Sequence, residues 1–253
     1  MENIEFKPCP KCKGKNGHLP EGYILLPDNT GKECECHKEW TKRQQASKLF
    51  KHYGFNSELV DYSPRSYVGK NSIENRDRLI NYVNNFPKNE KVRSCLLYMY
   101  GPNGTQKTTL ANWAALELIK KGYVVRYVLM KNLINDLKEA DFKEDVKAKV
   151  EKLNEADLLV IDESFDKDKC YISASGYSLG FIDTFIRDRI QRLNKGIIFI
   201  SNVKPESIVE NKFSTSIQDF VVRETTKNNS ALSFLDNYIS NANLEFDPSK
   251  SLF

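Results

Sequence analysis

The 253-residue chain has no long apolar run. Stretches such as Leu158–Ile161 and Ile197–Ile200 fall far short of the ~18 residues that cross a bilayer, and Glu2 and Glu5 put acid where a secretion signal carries its basic start. These absences predict a cytoplasmic protein with no membrane contact. Internal repeats and low-complexity tracts are missing too, which excludes collagen-like and disordered chains as overall descriptions. Neither sign of charge dominates: 38 basic against 34 acidic residues leave a net +4, which permits contact with an anionic polymer without requiring it. Cysteine is sparse except at one end, where Cys9, Cys12, Cys34 and Cys36 crowd together. Without a secretion signal, that clustering points to a metal site rather than a disulfide frame. What is present is 40% hydrophobic residues and 12 glycines, enough for one ordinary domain with a small module to spare.

The division along the chain is expected at 1–52 and 53–253. The first segment holds the cysteine pairs, Pro8, Pro10, Pro20 and Pro27, and little apolar period, so it is too small for a core of its own and needs a staple. Glu39–Lys51, with Trp40, Leu49 and Phe50 among basic residues, reads as a linker helix ended by Gly54. From about Asn56 strand-like and helix-like stretches alternate. Leu96–Tyr100, Tyr123–Met130, Leu158–Ile161, Gly196–Ile200 and Ala231–Leu235 read as strands. Helical patterns fill Lys107–Lys121, Leu133–Leu153 and Tyr177–Leu193. This alternation predicts an α/β fold with a mostly parallel five-stranded sheet flanked by helices.

Gly101-Pro102-Asn103-Gly104-Thr105-Gln106-Lys107-Thr108-Thr109 lies between an expected strand and helix, the place of a phosphate-binding loop. Its backbone N–H groups would face phosphates, Lys107 would reach the β and γ groups of ATP, and Thr108 would ligate Mg²⁺. Gln106 occupies the place of the second glycine of the pattern, where a side chain crowds the phosphates and the backbone geometry favours glycine. Leu158–Ile161 runs into Asp162 and Glu163, an acid for the metal's water shell and one to orient attacking water. Ile197–Ile200 runs into Ser201 and Asn202, a polar amide for the γ-phosphate.

Cys9-x2-Cys12 is a tight chelating pair, and Cys34-x-Cys36 or Cys34-x2-His37 supplies a second. Four thiolates, or three and an imidazole, satisfy tetrahedral Zn²⁺, and closing the loop would substitute for the missing core. Lys11, Lys13, Lys15, Lys38, Lys42, Arg43, Lys48 and Lys51, with Trp40, Phe50 and Tyr53, suit either nucleic-acid contact by charge and stacking or a solvated helix with one apolar face.

The loop GPNGTQKTT, the strand LLVIDE and the strand IIFISN after a helix containing Arg187-Asp188-Arg189 resemble the AAA+ ATPases of the DnaC/DnaI helicase-loader and IstB group. CPKC followed by CECH and a basic helix looks like the N-terminal zinc module of DnaI-like and phage-encoded loaders. The resemblance implies an AAA+ P-loop ATPase domain over 53–253 behind a zinc-binding module over 1–52. It implies Lys107 and Thr108 on phosphates and Mg²⁺, Asp162 and Glu163 on metal and water, and Asn202 as sensor. An arginine finger reaching a neighbouring subunit is implied within Ser216–Glu224, with Arg223 the first choice and Arg189 or Arg187 the alternatives. The implied function is ATP-dependent loading of a DnaB-type replicative helicase onto single-stranded DNA in DNA replication, by a self-associating ATPase in a bacterial cell or a phage-infected host. The rivals are an IstB-like transposition ATPase and a non-hydrolysing replication adaptor.

Overall fold

The computed structural model describes residues 6–55, 67, 71–86, 95–170 and 177–234. Leu235, the end of the last expected strand, lies outside them. Two short strands, β1 (Tyr23–Leu25) and β2 (Gly31–Glu33), form an antiparallel hairpin beside the cysteines. The remaining strands are β3 (Leu96–Tyr100), β4 (Val125–Leu129), β5 (Leu158–Asp162), β6 (Gly196–Ser201) and β7 (Ala231–Ser233). They make one sheet in the order β4-β5-β6-β3-β7, parallel at every pairing.

Side chains alternate across a strand, so each continuous apolar run feeds two cores. One face collects Leu96, Tyr98, Leu159, Ile161, Ile197 and Phe199 under α4 (Met130–Glu139), α5 (Glu144–Glu155), α6 (Tyr177–Arg187) and α7 (Thr215–Asn228). The other takes Leu97, Met99, Leu158, Val160, Ile198 and Ile200 under α1 (Glu35–His52), α2 (Ser72–Asn85) and α3 (Lys107–Lys120). The α/β expectation is met, with helices on both faces.

Helix α1 begins at Glu35, four residues before the expected linker helix, and Cys36 lies in its first turn. Its far end is core: Ala46 and Phe50 are buried, and Phe50 stacks on Phe55 with ring centroids 4.3 Å apart. Phe50 is therefore unavailable for stacking on nucleic acid. A cut after residue 52 would take Ala46 and Phe50 out of the core they share with α3.

The expected helix through Leu193 changes character after Arg187, becoming one π-helical turn over Asp188–Arg192. Here Arg189 is 0% exposed and spends its donors on backbone carbonyls. Nε donates to Gly196 O at 3.1 Å, Nη1 to Leu153 O at 2.8 Å and Asn154 O at 3.3 Å, and Nη2 to Ala156 O at 2.6 Å. The carbonyls of Leu153, Asn154 and Ala156 end α5, where unpaired acceptors and the negative end of the helix dipole favour a cation. Burial pulls the guanidinium down to about 10, which leaves it charged at neutral pH. Arg189 is thus excluded as an arginine finger. Arg189→Leu is expected to lower stability by roughly 3 kcal/mol or more, because it strands buried acceptors. Urea unfolding checks this, and an unchanged midpoint would refute the clamp.

Candidate nucleotide and metal sites

In an open parallel sheet, ligands gather outside the carboxyl ends of strands where connections leave in opposite directions. From β3 the chain crosses to the β4 edge and later returns to β7 on β3's other side, so the switch lies at β3. The loop after β3 and the ends of β5 and β6 meet there in a cleft of about 230 Å³. Of the expected site residues, Asn103 through Thr109, Asp162, Glu163 and Asn202 line it. Lys169 also lines it, and nothing in the sequence pattern pointed there.

Gly101 starts the loop at φ 149°, where a Cβ would lie 1.9 Å from the carbonyl oxygen of Phe234. Only glycine fits beside the end of β7. Gly101 N–H also donates to Ser201 O at 3.2 Å, tying the loop to β6. The loop then turns through Gly104 at φ 77° and Gln106 at φ 63°, ψ 17°. Gln106 accepts the left-handed conformation despite its side chain, a state that costs a non-glycine residue about 1 kcal/mol. The departure from the loop pattern therefore strains the loop without preventing it. Gln106→Gly relieves this strain at a cost of about 0.5–1 kcal/mol in chain entropy, so ATP is expected to bind at least as tightly. Calorimetric titration decides, and markedly weaker binding would make Gln106 itself a ligand.

Lys107 opens α3 and is buried, with Nζ donating to Gly101 O at 2.8 Å, Pro102 O at 2.6 Å and Thr105 Oγ1 at 3.2 Å. Burial pushes its ammonium down to about 8, opposed by the charge of Asp162 and reinforced by that of Lys169. Asp162 joins three elements: Oδ2 accepts from Thr108 Oγ1 and from Tyr127 OH, both at 3.0 Å, while Oδ1 accepts from Glu163 N–H at 2.7 Å. Thr108 and Asp162 thus present adjacent oxygens of the kind Mg²⁺ takes. Tyr127, on β4, was not legible as a site residue. Its hydroxyl is pushed up by burial and by Asp162, so it stays a donor.

Glu163 sits at φ 53°, turning the chain out of β5, and its Oε1 accepts from Lys169 Nζ at 3.0 Å. Asn202 Nδ2 donates to Asn103 Oδ1 at 2.9 Å, which links the end of β6 to the loop. The arginines lie elsewhere. Arg187 is held by Asp183 at 2.7 Å and by Ser216. Arg223, on α7, has a 58% exposed side chain, 3.4 Å from Glu224. Among the three considered its side chain is the most exposed, with the guanidinium 5.4 Å from the centroid of the Phe220 ring.

The cysteines of the first segment come together. Sγ distances are 3.9 Å for Cys9–Cys12, 3.8 Å for Cys9–Cys34 and 3.5 Å for Cys12–Cys36, and all four lie within 4.8 Å of one another. Tetrahedral Zn²⁺ with Zn–S near 2.3 Å sets sulfurs about 3.8 Å apart, so the set fits the metal. Short turns produce it: Cys12 N–H and Lys13 N–H bond to Cys9 O, and α1 starts on Cys34 O. His37 is turned away, with Nδ1 2.7 Å from Glu33 and its ring against Phe6, Tyr23 and Trp40. The alternative with an imidazole ligand is not formed.

Residues 78–168 match the family described as "IstB-like ATP binding protein". No curated protein matches the chain. Many solved structures are similar, three of them as follows. A DNA replication initiation factor is 18% identical with a TM-score of 0.53, over 69% of this chain and 49% of that one. AMPPCP-bound DnaA from Aquifex aeolicus is 19% identical with a TM-score of 0.54, over 75% of this chain and 57% of that one. The DnaC helicase loader is 17% identical with a TM-score of 0.50, over 71% of this chain and 99% of that one. This chain spans about half the length of the first two. The chain shares the fold of these structures, a five-stranded parallel sheet flanked by helices, and four cysteines clustered before it can form a zinc site.

Proposed function

We propose that the chain is an ATP-dependent loader of a DnaB-type replicative helicase onto single-stranded DNA, acting in the bacterial cytoplasm, with a zinc module that recruits and an AAA+ domain that drives. The observation that carries this reading is the convergence of Lys107, Thr108, Asp162, Glu163 and Asn202 on one cleft, in a chain whose clustered cysteines are joined to that domain by a continuous helix. Similarity to the DnaC helicase loader supports it, since that whole structure is spanned. No helix among the described residues is long and apolar enough to cross a membrane.

In this reading the loop N–H groups and Lys107 hold the phosphates of ATP, and Thr108 and Asp162 hold Mg²⁺. The ion supplies charge neutralisation when bound. Tyr127 keeps Asp162 in place, Glu163 orients water, and Asn202 positions the loop through Asn103. Arg223 acts on the site of a neighbouring subunit, so hydrolysis depends on self-association. Arg223→Ala is expected to lower turnover by roughly 10³-fold while ATP affinity changes little, because a finger acts mainly in the transition state. Steady-state hydrolysis beside calorimetric titration checks this, and unaltered turnover would transfer the role to another cation.

The partner assignment is tested by affinity capture from the native host. The full chain is expected to retain a DnaB-type helicase, and Cys9→Ser/Cys12→Ser to lose it while still binding ATP. Point substitutions are preferable to removal of residues 1–52, which would take Phe50 from the core. Recovery of a transposase instead would favour the IstB-like alternative, which the family match over residues 78–168 keeps in contention.

A further inference from the structure

Lys169 belongs to none of the roles above, yet it faces the cleft from a turn fixed to the site. The N–H groups of Lys169 and Cys170 bond to Asp166 O, that of Asp168 bonds to Asp166 Oδ1, and Cys170 Sγ lies 3.7 Å from Glu163 O. This turn sets the ammonium of Lys169 3.0 Å from Glu163 Oε1, with both side chains about one-third exposed, at 35% and 31%. The carboxylate reserved for water is therefore engaged by an ammonium on a flexible four-carbon stem.

Two ammonium groups, Lys107 and Lys169, face the same small cleft, close enough for Lys107 to feel the charge of Lys169. Against them stand Asp162 and Glu163, with Asp166 behind Lys169. Asp162 is committed to Thr108, Tyr127 and the Glu163 N–H. Glu163 is thus the acceptor that Lys169 can exchange. A doubly charged terminal phosphate offers Lys169 a stronger acceptor than one carboxylate oxygen, whereas a diphosphate ends one group earlier.

We propose that Lys169 senses the terminal phosphate of a nucleoside triphosphate: paired with Glu163 in the nucleotide-free site, it transfers to the γ-phosphate and releases Glu163 to water. Lys169 so couples the presence of the third phosphate to the readiness of the water-orienting carboxylate. This rests on the nucleotide reading given above.

The test is calorimetric titration of AMPPCP and of ADP, each with Mg²⁺, into the full-length protein. Wild type is expected to prefer AMPPCP. Lys169→Met should weaken AMPPCP on the order of tenfold and ADP less than about twofold, and Lys169→Arg should keep most of the preference. Glu163→Gln, which removes the competing charge, should tighten AMPPCP and leave ADP alone; a purely structural pair would not show that opposite sign. Equal weakening of both nucleotides by Lys169→Met, or no change in AMPPCP, would overturn the inference while leaving the nucleotide site standing. Binding of neither nucleotide by wild type would overturn the nucleotide reading and this inference with it.

Discussion

Lys107→Met is expected to weaken ATP binding on the order of a hundredfold, and with it to end hydrolysis. The side chain donates to oxygens of its own loop at 2.6 Å to 3.2 Å, all of them neutral acceptors. A phosphate is a far better acceptor, and the lysine meets it in the ground state, so binding itself should suffer rather than turnover alone. Methionine keeps the apolar stem, so the fold should survive the change. A pH dependence follows from the same environment. Burial holds the ammonium down to about 8, so the free site is charged below that pH and loses its charge as pH rises through it. Wild-type affinity should therefore fall above about pH 8, with proton uptake on binding, while the Lys107→Met protein shows no such step. Titration in buffers of different ionisation enthalpy measures both quantities. Retained affinity in Lys107→Met would remove the loop from the account.

The second large effect is expected at the cysteines. Cys12→Ser removes a buried sulfur that lies 3.9 Å from that of Cys9 and 3.5 Å from that of Cys36. Structural zinc contributes about 10–16 kcal/mol of binding free energy in small modules, and this segment has little else to hold it, with β1 and β2 only three residues each. Wild type purified without added zinc should carry one Zn²⁺ per chain, and the variant close to none. Chelation should unfold the hairpin and the first turn of α1 while Ala46, Phe50 and the sheet remain. Metal analysis with hydrogen exchange over residues 6–55 gives the result. A metal content near zero in wild type, with the segment still protected, would mean free thiols.

The parts of the fold that could be read directly were those whose burial writes itself into composition. Leu158–Ile161 and Ile197–Ile200 are apolar throughout because both faces of the sheet are covered, so no helix pattern competes. The hairpin of β1 and β2 carries no usable period, because each strand has three residues, half-buried in β1 and mostly exposed in β2. Helix α7 left a legible trace, since Ile217, Phe220, Val221 and Glu224 are buried at helical spacing, yet its segment was read only for an arginine. In sequence Phe50, between Lys48 and Lys51, suits both nucleic-acid stacking and the apolar face of a solvated helix, and its burial in the core beside α3 selects the second.

Within the site, residues fixed to their motif by local chain geometry were found, and those brought in from afar were not. Lys107 and Thr108 follow the loop, and Asp162 and Glu163 end a strand. Tyr127 reaches Asp162 from the neighbouring strand β4, and Lys169 returns on a turn, so neither has a sequence signature. Arg189 is the sharpest case. In sequence it is an arginine among charged residues, and only the end of α5 opposite it explains why it lies buried.

The most direct measurement of the central claim is steady-state ATP hydrolysis, with and without single-stranded DNA, by wild type and by Glu163→Gln. The account predicts turnover by wild type that single-stranded DNA alters, and Glu163→Gln protein that binds ATP but turns it over at least about 10²-fold more slowly. Wild-type protein that binds ATP yet hydrolyses it no faster than Glu163→Gln would contradict it, and would leave the non-hydrolysing adaptor as the better description.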